Sequence, residues 1–193
     1  MIRRNVLFDL RAHAVLTEDG IETGNRFFNN IAVRTNRAIR PLPFEKGFRG
    51  QESDSRFPSL FWFSNPENEV VGNVATGSSD AGFWFEPVVK GPRKEQFEAL
   101  QGGEGITQKV PTIFKDNVAR ANLVSEVNIG TFESHTMSQN GVRLYPTGLK
   151  ATAEKRAIFL GNKAFRNRGT GLVTNRSFNI DIRGWYFADN GCT

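Results

Sequence analysis

The chain has very little cysteine, methionine, tyrosine or histidine, and it has no long apolar run. Cys192 is the one cysteine among 193 residues, so no disulfide can form within the chain. The basic residues near Met1 are followed by Asp9 and Arg11 rather than by the apolar core of a signal peptide. We therefore predict neither a disulfide-stabilised scaffold nor a membrane span in this chain.

Positive charge is only modestly in excess. Lys and Arg number 25 against 20 Asp and Glu, which gives a formal net charge of +5, and the arginines stand singly. A nucleic-acid-binding tail would show a basic cluster, so we predict no nucleic-acid partner. Scattered arginines suit the carboxylate or sulfate groups of acidic polysaccharides, and they equally suit a solvated basic surface.

Phenylalanine and glycine, by contrast, are abundant, with 17 and 19 residues. Flat rings stack well between neighbouring strands, and many glycines imply many turns. Helical periodicity is weak and is confined to a short stretch at residues 93–101. The composition therefore favours an all-β fold.

An asparagine followed by small or β-branched residues returns along the chain. The spacings are 43, 44 and 45 residues, between Asn30, Asn73, Asn117 and Asn162. Gly82 stands nine residues after Asn73, Gly171 stands nine after Asn162, and apolar residues follow each glycine. We interpret the spacings as multiples of a coil of about 22 residues, since the repeats of β-solenoids are short. Each coil then has an asparagine turn, a strand, a second turn with glycine and a second strand.

This pattern predicts a right-handed parallel β-helix of the pectin-lyase-like kind, as a single domain over residues 1–193. Each strand would pair with its equivalents in the coils above and below, about 4.8 Å away. Asparagine tolerates the left-handed turn conformation, and stacked asparagines can form a hydrogen-bonded ladder. Residues 34–57 and 87–111 break the period and are predicted to be lateral loop insertions. Because both ends look cut within a coil, we expect a fragment of a longer protein.

Three blocks of sequence resemble a known family. They are residues 13–25, 61–68 and 75–86, and they resemble the β-helix region of G8-domain proteins in order and spacing. That family includes the cell migration-inducing hyaluronan-binding protein, transmembrane protein 2 and the fibrocystins. The family usually has glycine where this chain has Ala12. The resemblance implies a parallel β-helix at the cell surface or outside the cell and, for the first two proteins, a link to hyaluronan depolymerisation.

Glu18, Asp19 and Glu22 form an acidic cluster near His13. Glycosidic cleavage needs two carboxyl groups about 5–9.5 Å apart, and a histidine can serve as general acid or base. Neighbouring residues of a strand point to opposite faces, so Asp19 and Gly20 are predicted to form a turn. Glu18, Glu22 and His13 are then the predicted catalytic residues. In the alternative, Asp19 only holds the turn and His13 is a satisfied structural histidine.

Two aromatic triplets, at residues 61–63 and 83–85, lie about one coil apart. If their phenylalanines point inward, Trp62 and Trp84 stack on the outer surface, where they would suit a sugar ring. If the register is reversed, the tryptophans belong to the core. Asn65 and Glu86 border the triplets and are predicted to bind substrate with them. The residues predicted to have a structural role in turns are Asp19, Gly20, Asn73, Gly82, Asn117 and Asn162.

No pair of cysteines or histidines has metal-ligand spacing, so we predict no metal site and no cofactor, although an acidic turn such as Glu18–Asp19 could hold calcium. The predicted function is a carbohydrate-interacting β-helix whose partner is a polysaccharide or glycosaminoglycan. One alternative is a non-catalytic structural or adhesion segment of an extracellular protein. Another is an unrelated β-helix polysaccharide lyase, which would need a cation beside carboxylates in one groove.

Overall fold

A computed structural model of the chain describes residues 1–17, 20–36, 58–87, 106–122, 142–144, 149–174 and 177–191. Their strands form three parallel sheets. Sheet A contains β1 (Ile2–Arg3), β4 (Arg26–Phe28), β7 (Glu69–Val71), β10 (Ile113–Lys115), β13 (Ala157–Leu160) and β16 (Ile180–Arg183). Sheet B contains β2 (Val6–Arg11), β5 (Ile31–Asn36), β8 (Val74–Ser78), β11 (Val118–Arg120), β14 (Lys163–Phe165) and β17 (Tyr186–Ala188). Sheet C contains β3 (Val15–Thr17), β6 (Phe61–Phe63), β9 (Phe83–Phe85), β12 (Val142–Leu144) and β15 (Leu172–Val173).

The chain visits the three sheets in turn and then repeats the circuit. Each strand pairs in parallel with its equivalent in the next coil, as β4 pairs with β7 and β5 with β8. The architecture is therefore the predicted parallel β-helix. The described helical structure is one 3-10 turn, Ile106–Gln108, and within the described ranges no helix is long and apolar enough to span a membrane.

The predicted coil length of about 22 residues is wrong for most of the molecule. Asn73 and Asn117 are 44 residues apart, yet β8 and β11 are direct neighbours, so those 44 residues make one coil and not two. The strand positions nine residues after each asparagine are nevertheless correct, since β9 and β15 start just after Gly82 and Gly171. The first predicted insertion starts later than residue 34, because β5 continues to Asn36. Residues 37–57 and 88–105, including the predicted helix at 93–101, lie outside the described residues.

The returning asparagines form a hydrogen-bonded column at the corner between sheets A and B. In each step, the main-chain N–H and the side-chain Nδ2 of one asparagine donate to Oδ1 of the next, over 2.9–3.1 Å. The members from the second onward are buried. In order along the chain the members are Asn5, Asn30, Asn73, Asn117 and Asn162. Because buried amides are costly without partners, this column fixes how the coils stack.

The left-handed residue of this corner is not the column asparagine, as the sequence suggested, but the residue before it. Positive φ angles of 52–66° occur at Asn29, Gly72, Asp116 and Gly161. A Cβ built on Gly72 would collide with Oδ1 of Asn29, and one on Gly161 would collide with Oδ1 of Asp116. Glycine at these two positions therefore leaves room for the polar side chain of the preceding coil.

A second polar column, which the sequence analysis missed, runs along the corner between sheets B and C. Asn122 Nδ2 donates to Asn167 Oδ1 over 2.8 Å, and Asn167 Nδ2 donates to Asn190 Oδ1 over 2.8 Å. Ser78 N–H donates to Oδ1 of Asn122 over 2.9 Å, which joins the preceding coil to this column. Ser78, Asn122 and Asn167 each stand five residues after a member of the first column, so the segment between the two corners has constant length.

The core lies between the three sheets. Sheet A contributes a column of large residues, Phe27, Val70, Phe114 and Phe159. Sheet B, which is held between the two polar columns, contributes only a methyl group in each of the four middle coils, from Ala32, Ala75, Ala119 and Ala164. Sheet C contributes stacked rings such as Phe61 on Phe83, with centroids 4.9 Å apart. Burial of each large side chain stabilises the fold by roughly 1.5–3 kcal/mol.

In the last described coil, Trp185 takes the place of the column asparagine. It follows Gly184, whose φ is 60°, and its Nε1–H donates to the Phe159 carbonyl over 2.9 Å. Asn162 donates to the Phe114 carbonyl in the same way one coil earlier. An indole has a donor but no acceptor, so Trp185 receives no hydrogen bond from Asn162.

Candidate functional site

His13 lies before β3, where it contacts Ser59, whereas Gly20 and Glu22 follow β3, where Gly20 contacts Asn65. The structure therefore places them at opposite ends of that strand, and Glu18 and Asp19 lie outside the described residues. Glu22 is half-buried, and its Oε2 accepts a hydrogen bond from the Gly20 N–H over 3.0 Å. Gly20 has a φ of 85°, which agrees with the turn predicted there. The contacts of Glu22 are therefore those of a carboxylate that holds a turn, and its catalytic role stays a prediction.

His13 is half-buried and contacts both the main chain and an aromatic ring. The Ser59 N–H donates to Nδ1 of His13 over 3.1 Å. The Ser59 carbonyl oxygen lies 3.2 Å from the same nitrogen, so Nδ1 accepts from the Ser59 N–H in one tautomer and donates to the Ser59 carbonyl in the other. The imidazole centroid lies 4.6 Å from the ring of Trp62. These contacts are those of a positioned histidine, and the predicted role as general acid or base stays untested.

The two tryptophans stack as one of the alternatives predicted, but they are not on the surface. Phe61 and Phe63 belong to the main core, and Trp62 points to the other side of sheet C, where it stacks on Trp84 with centroids 5.4 Å apart. Trp62 is 0% exposed and Trp84 4%. The expectation of a solvent-facing tryptophan platform is therefore corrected. The pair forms a small second core with Ala81.

Asn65 and Glu86, the other predicted substrate-binding residues, do not share an open surface with the tryptophans. Asn65 is fully buried, and its Nδ2 donates to the Gly20 carbonyl over 2.9 Å. Its Oδ1 accepts from Glu67 N–H over 2.9 Å, which forms the predicted turn after β6. Glu86 is half-buried just after β9, where its main-chain N–H donates to the Phe63 carbonyl. Their predicted contacts with a substrate stay predictions.

Charged side chains that the sequence analysis did not single out join distant segments. Glu67 accepts from Lys155 over 3.1 Å and lies 3.5 Å from the Lys109 ammonium. Fully exposed ion pairs contribute little to stability. The side chains of this three-residue cluster are only partly exposed, so water screens their charges less. The hydrogen bond from the Arg183 guanidinium lowers the pKa of the half-buried Asp181 carboxyl below its ordinary value, and it raises the pKa of Arg183. A main-chain hydrogen bond and one from Thr152 lower the pKa of Glu154.

Another feature missed by the sequence analysis is the outer side of sheet B in the last coils. Lys163 and Phe165 of β14 point outward beside Tyr186 and Ala188 of β17. The signal was present, because alternate residues after a column asparagine must face away from the core. Within the described ranges no group of three or more His, Cys, Asp and Glu could hold a metal ion.

Stacked parallel coils with two polar corner columns define a single-stranded parallel β-helix. A family model described as the CEMIP beta-helix matches residues 1–128, and the chain belongs to that family. No solved structure matches the chain.

Curated relatives match less than half of the chain. Fibrocystin-L of Mus musculus is 33% identical over 85 residues, which are 44% of this chain and 2% of that protein. The cell surface hyaluronidase CEMIP2 of Homo sapiens is 29% identical over 99 residues, 44% of this chain and 7% of that protein. A G8 domain-containing protein of Dictyostelium discoideum is 34% identical over 90 residues, 42% of this chain and 6% of that protein. The chain therefore spans less than a tenth of the length of these relatives.

Proposed function

We propose that this chain is a polysaccharide-binding β-helix module of a cell-surface or secreted protein, with the glycosaminoglycan hyaluronan as its ligand. The observation that carries the proposal is membership of the CEMIP beta-helix family together with likeness to a protein named as a cell surface hyaluronidase. The formal net charge of +5 supports it, because hyaluronan is a polyanion. Outward strand positions carry exposed cations, among them Arg3, Arg26, Lys115, Arg120, Lys163 and Arg183.

We favour binding over cleavage by this chain alone. A glycosidase needs two carboxyl groups that face one sugar bond. Of the three predicted catalytic residues, Glu22 holds the Gly20 turn and His13 contacts the Ser59 main chain. These contacts support a module that presents a surface and does not itself cut the polymer.

The second candidate is a structural or adhesion segment that binds no polysaccharide. It is favoured by the likeness to Fibrocystin-L, whose name carries no reference to hyaluronan. The two candidates differ in a single measurable property, which is the affinity of the chain for an acidic polysaccharide.

The test is to measure binding of the chain 1–193 to hyaluronan at low salt, with neutral dextran as the control polymer. We expect binding to hyaluronan alone, and we expect it to weaken as salt screens the charges. Size analysis of the polymer after incubation separates binding from cleavage, and Glu22→Gln and Glu18→Gln should leave binding unchanged. Binding to neither polymer would reject the proposal in favour of the structural candidate, and equal binding to both would reject hyaluronan as the specific ligand.

A further inference from the structure

An open groove of about 630 Å³ lies on the outer side of sheet B in the last three described coils. The registers of β11, β14 and β17 place Lys163 between Val118 and Tyr186, and Phe165 between Arg120 and Ala188. Neighbouring strands are about 4.8 Å apart, so each cation adjoins an aromatic ring. Arg166 and Asp189, from the left-handed turn that follows, complete one end of the groove.

The aromatic part of the groove is accessible. Tyr186 is 55% exposed, and its ring meets Phe165 edge-on with centroids 6.3 Å apart. An exposed ring beside a second, partly buried ring forms a shallow apolar wall with the Tyr186 hydroxyl at its rim. The apolar C–H face of a pyranose packs against such a wall, and the hydroxyl can bind a sugar hydroxyl.

The charge of the groove is mainly positive. Among the residues that line the groove, Lys163 and Arg166 are exposed cations and Asp189 is the one anion. Arg120, a third exposed cation, lies beside Phe165 at the border of the groove. Arg166 Nε pairs with Asp189 Oδ2 over 3.9 Å, and both side chains are 75% exposed and so accessible to a ligand. A lysine and two arginines favour carboxylate oxygens, and Asp189 can accept from sugar hydroxyls.

We infer that this groove binds a uronate-containing saccharide chain, with one sugar ring on Tyr186 and its carboxylate on Lys163. An open groove suits a polymer that runs through it better than a small molecule, which needs to be mostly enclosed. The inference rests on the proposed function and locates its binding surface. Most of the groove lies after residue 128, beyond the part of the chain that the family model matches.

The experiment measures the affinity of the chain and its variants for a hyaluronan oligosaccharide of defined length. Tyr186→Ala should weaken binding about tenfold, and Tyr186→Phe should weaken it less because the ring remains. Lys163→Ala should weaken binding about threefold at low salt and less at high salt. With a carboxyl-reduced oligosaccharide, wild-type affinity should fall and Lys163→Ala should cause no further loss.

Two control variants match these changes outside the groove. Phe178→Ala removes an aromatic ring that is 59% exposed, and Lys150→Ala removes an exposed lysine that does not line the groove. Both should bind like wild type. If wild type binds hyaluronan and the groove variants bind equally well, the groove is not the binding site, and the proposed function stands. If wild type does not bind the oligosaccharide or the polymer at low salt, both are overturned.

Discussion

Two pairs of aromatic residues point away from the core of the coils, one on sheet C and one on sheet B, and they differ in exposure. Trp62 and Trp84 stack with centroids 5.4 Å apart and are almost fully buried. Phe165 and Tyr186 meet edge-on on the outer side of sheet B, where Tyr186 is 55% exposed. Both pairs occupy equivalent positions relative to the pleat of their strands.

The difference shows that a side chain that points away from the core of a β-helix is not always exposed to solvent. Trp62 is covered in part by His13, which stands 49 positions earlier in the chain and packs its ring 4.6 Å away. Tyr186 has no such cover in the described part of the chain. We therefore expect the first pair to contribute to stability and the second to binding.

The largest expected effect is on the buried pair. Trp62→Ala should lower the free energy of unfolding by about 3–5 kcal/mol, because it opens a cavity that its neighbours cannot fill. Leu16→Ala is the matched control, since Leu16 pairs with Trp62 on the same outward side of sheet C and is 42% exposed. Guanidinium unfolding measures both. An equally small change in the two variants would mean that the tryptophan pair is not a core.

A buried and an exposed asparagine of the first column show how much burial adds to the contribution of their hydrogen bonds. Asn117→Ala leaves the Asn73 N–H without its acceptor and the Val70 carbonyl without its donor, so we expect a loss of at least about 2 kcal/mol. Asn5→Ala is the control, because Asn5 is exposed at the edge of the same column and donates to Asn30. Similar losses in both variants, measured by the same unfolding curves, would contradict a role for burial.

The backbone beneath the buried pair offers a change in the opposite direction. Ala12, next to His13, has a φ of 70°, a conformation that costs a residue with a Cβ about 1–2 kcal/mol. Ala12→Gly should therefore raise the unfolding free energy by up to about 1 kcal/mol after the greater entropy of glycine is subtracted. Ala14→Gly, at a position without a positive φ, should lower it. A loss of stability in the first variant would show that Ala12 is unstrained.

The smallest expected change in stability is at the open pair. Tyr186→Ala removes a ring that is half in water already, so the unfolding free energy should change by less than about 1 kcal/mol. The same variant is expected to lose affinity for the saccharide, and Trp62→Ala, where it remains folded, is expected to keep it. Calorimetric unfolding and a binding titration on the same samples check this opposition. A large loss of stability on Tyr186→Ala would mean that both aromatic pairs contribute to the stability of the fold, which contradicts the distinction between them.

The repeating parts of the fold could be predicted from the sequence, and the parts that do not repeat could not. The column asparagines were predictable because they occupy a corner that allows few side chains. The strands nine residues after them were predictable from their constant spacing to that corner. The number of coils was not, since a coil with a long excursion returns to the same register as two short ones. The second column was readable from the common spacing of Asn122 and Asn167, but neither residue precedes an alanine.

The candidate site was less predictable than the fold. A carboxylate such as Glu22 reads the same in sequence whether it faces a substrate or accepts from a turn amide such as Gly20 N–H. The burial of Trp62 depends on which segments of the chain cover sheet C, and alternation along one strand contains no information about that.

The constant five-residue step between the two polar columns has a consequence for protein engineering. Asn73 to Ser78, Asn117 to Asn122 and Asn162 to Asn167 all span the same distance, whereas successive first-column asparagines are separated by 25 to 45 residues. Added residues are thus accommodated on the remaining two sides of each coil, and one residue inserted within β11 or β14 would take both columns out of register. Grafted peptides or affinity tags therefore belong between sheets B and C or between sheets C and A.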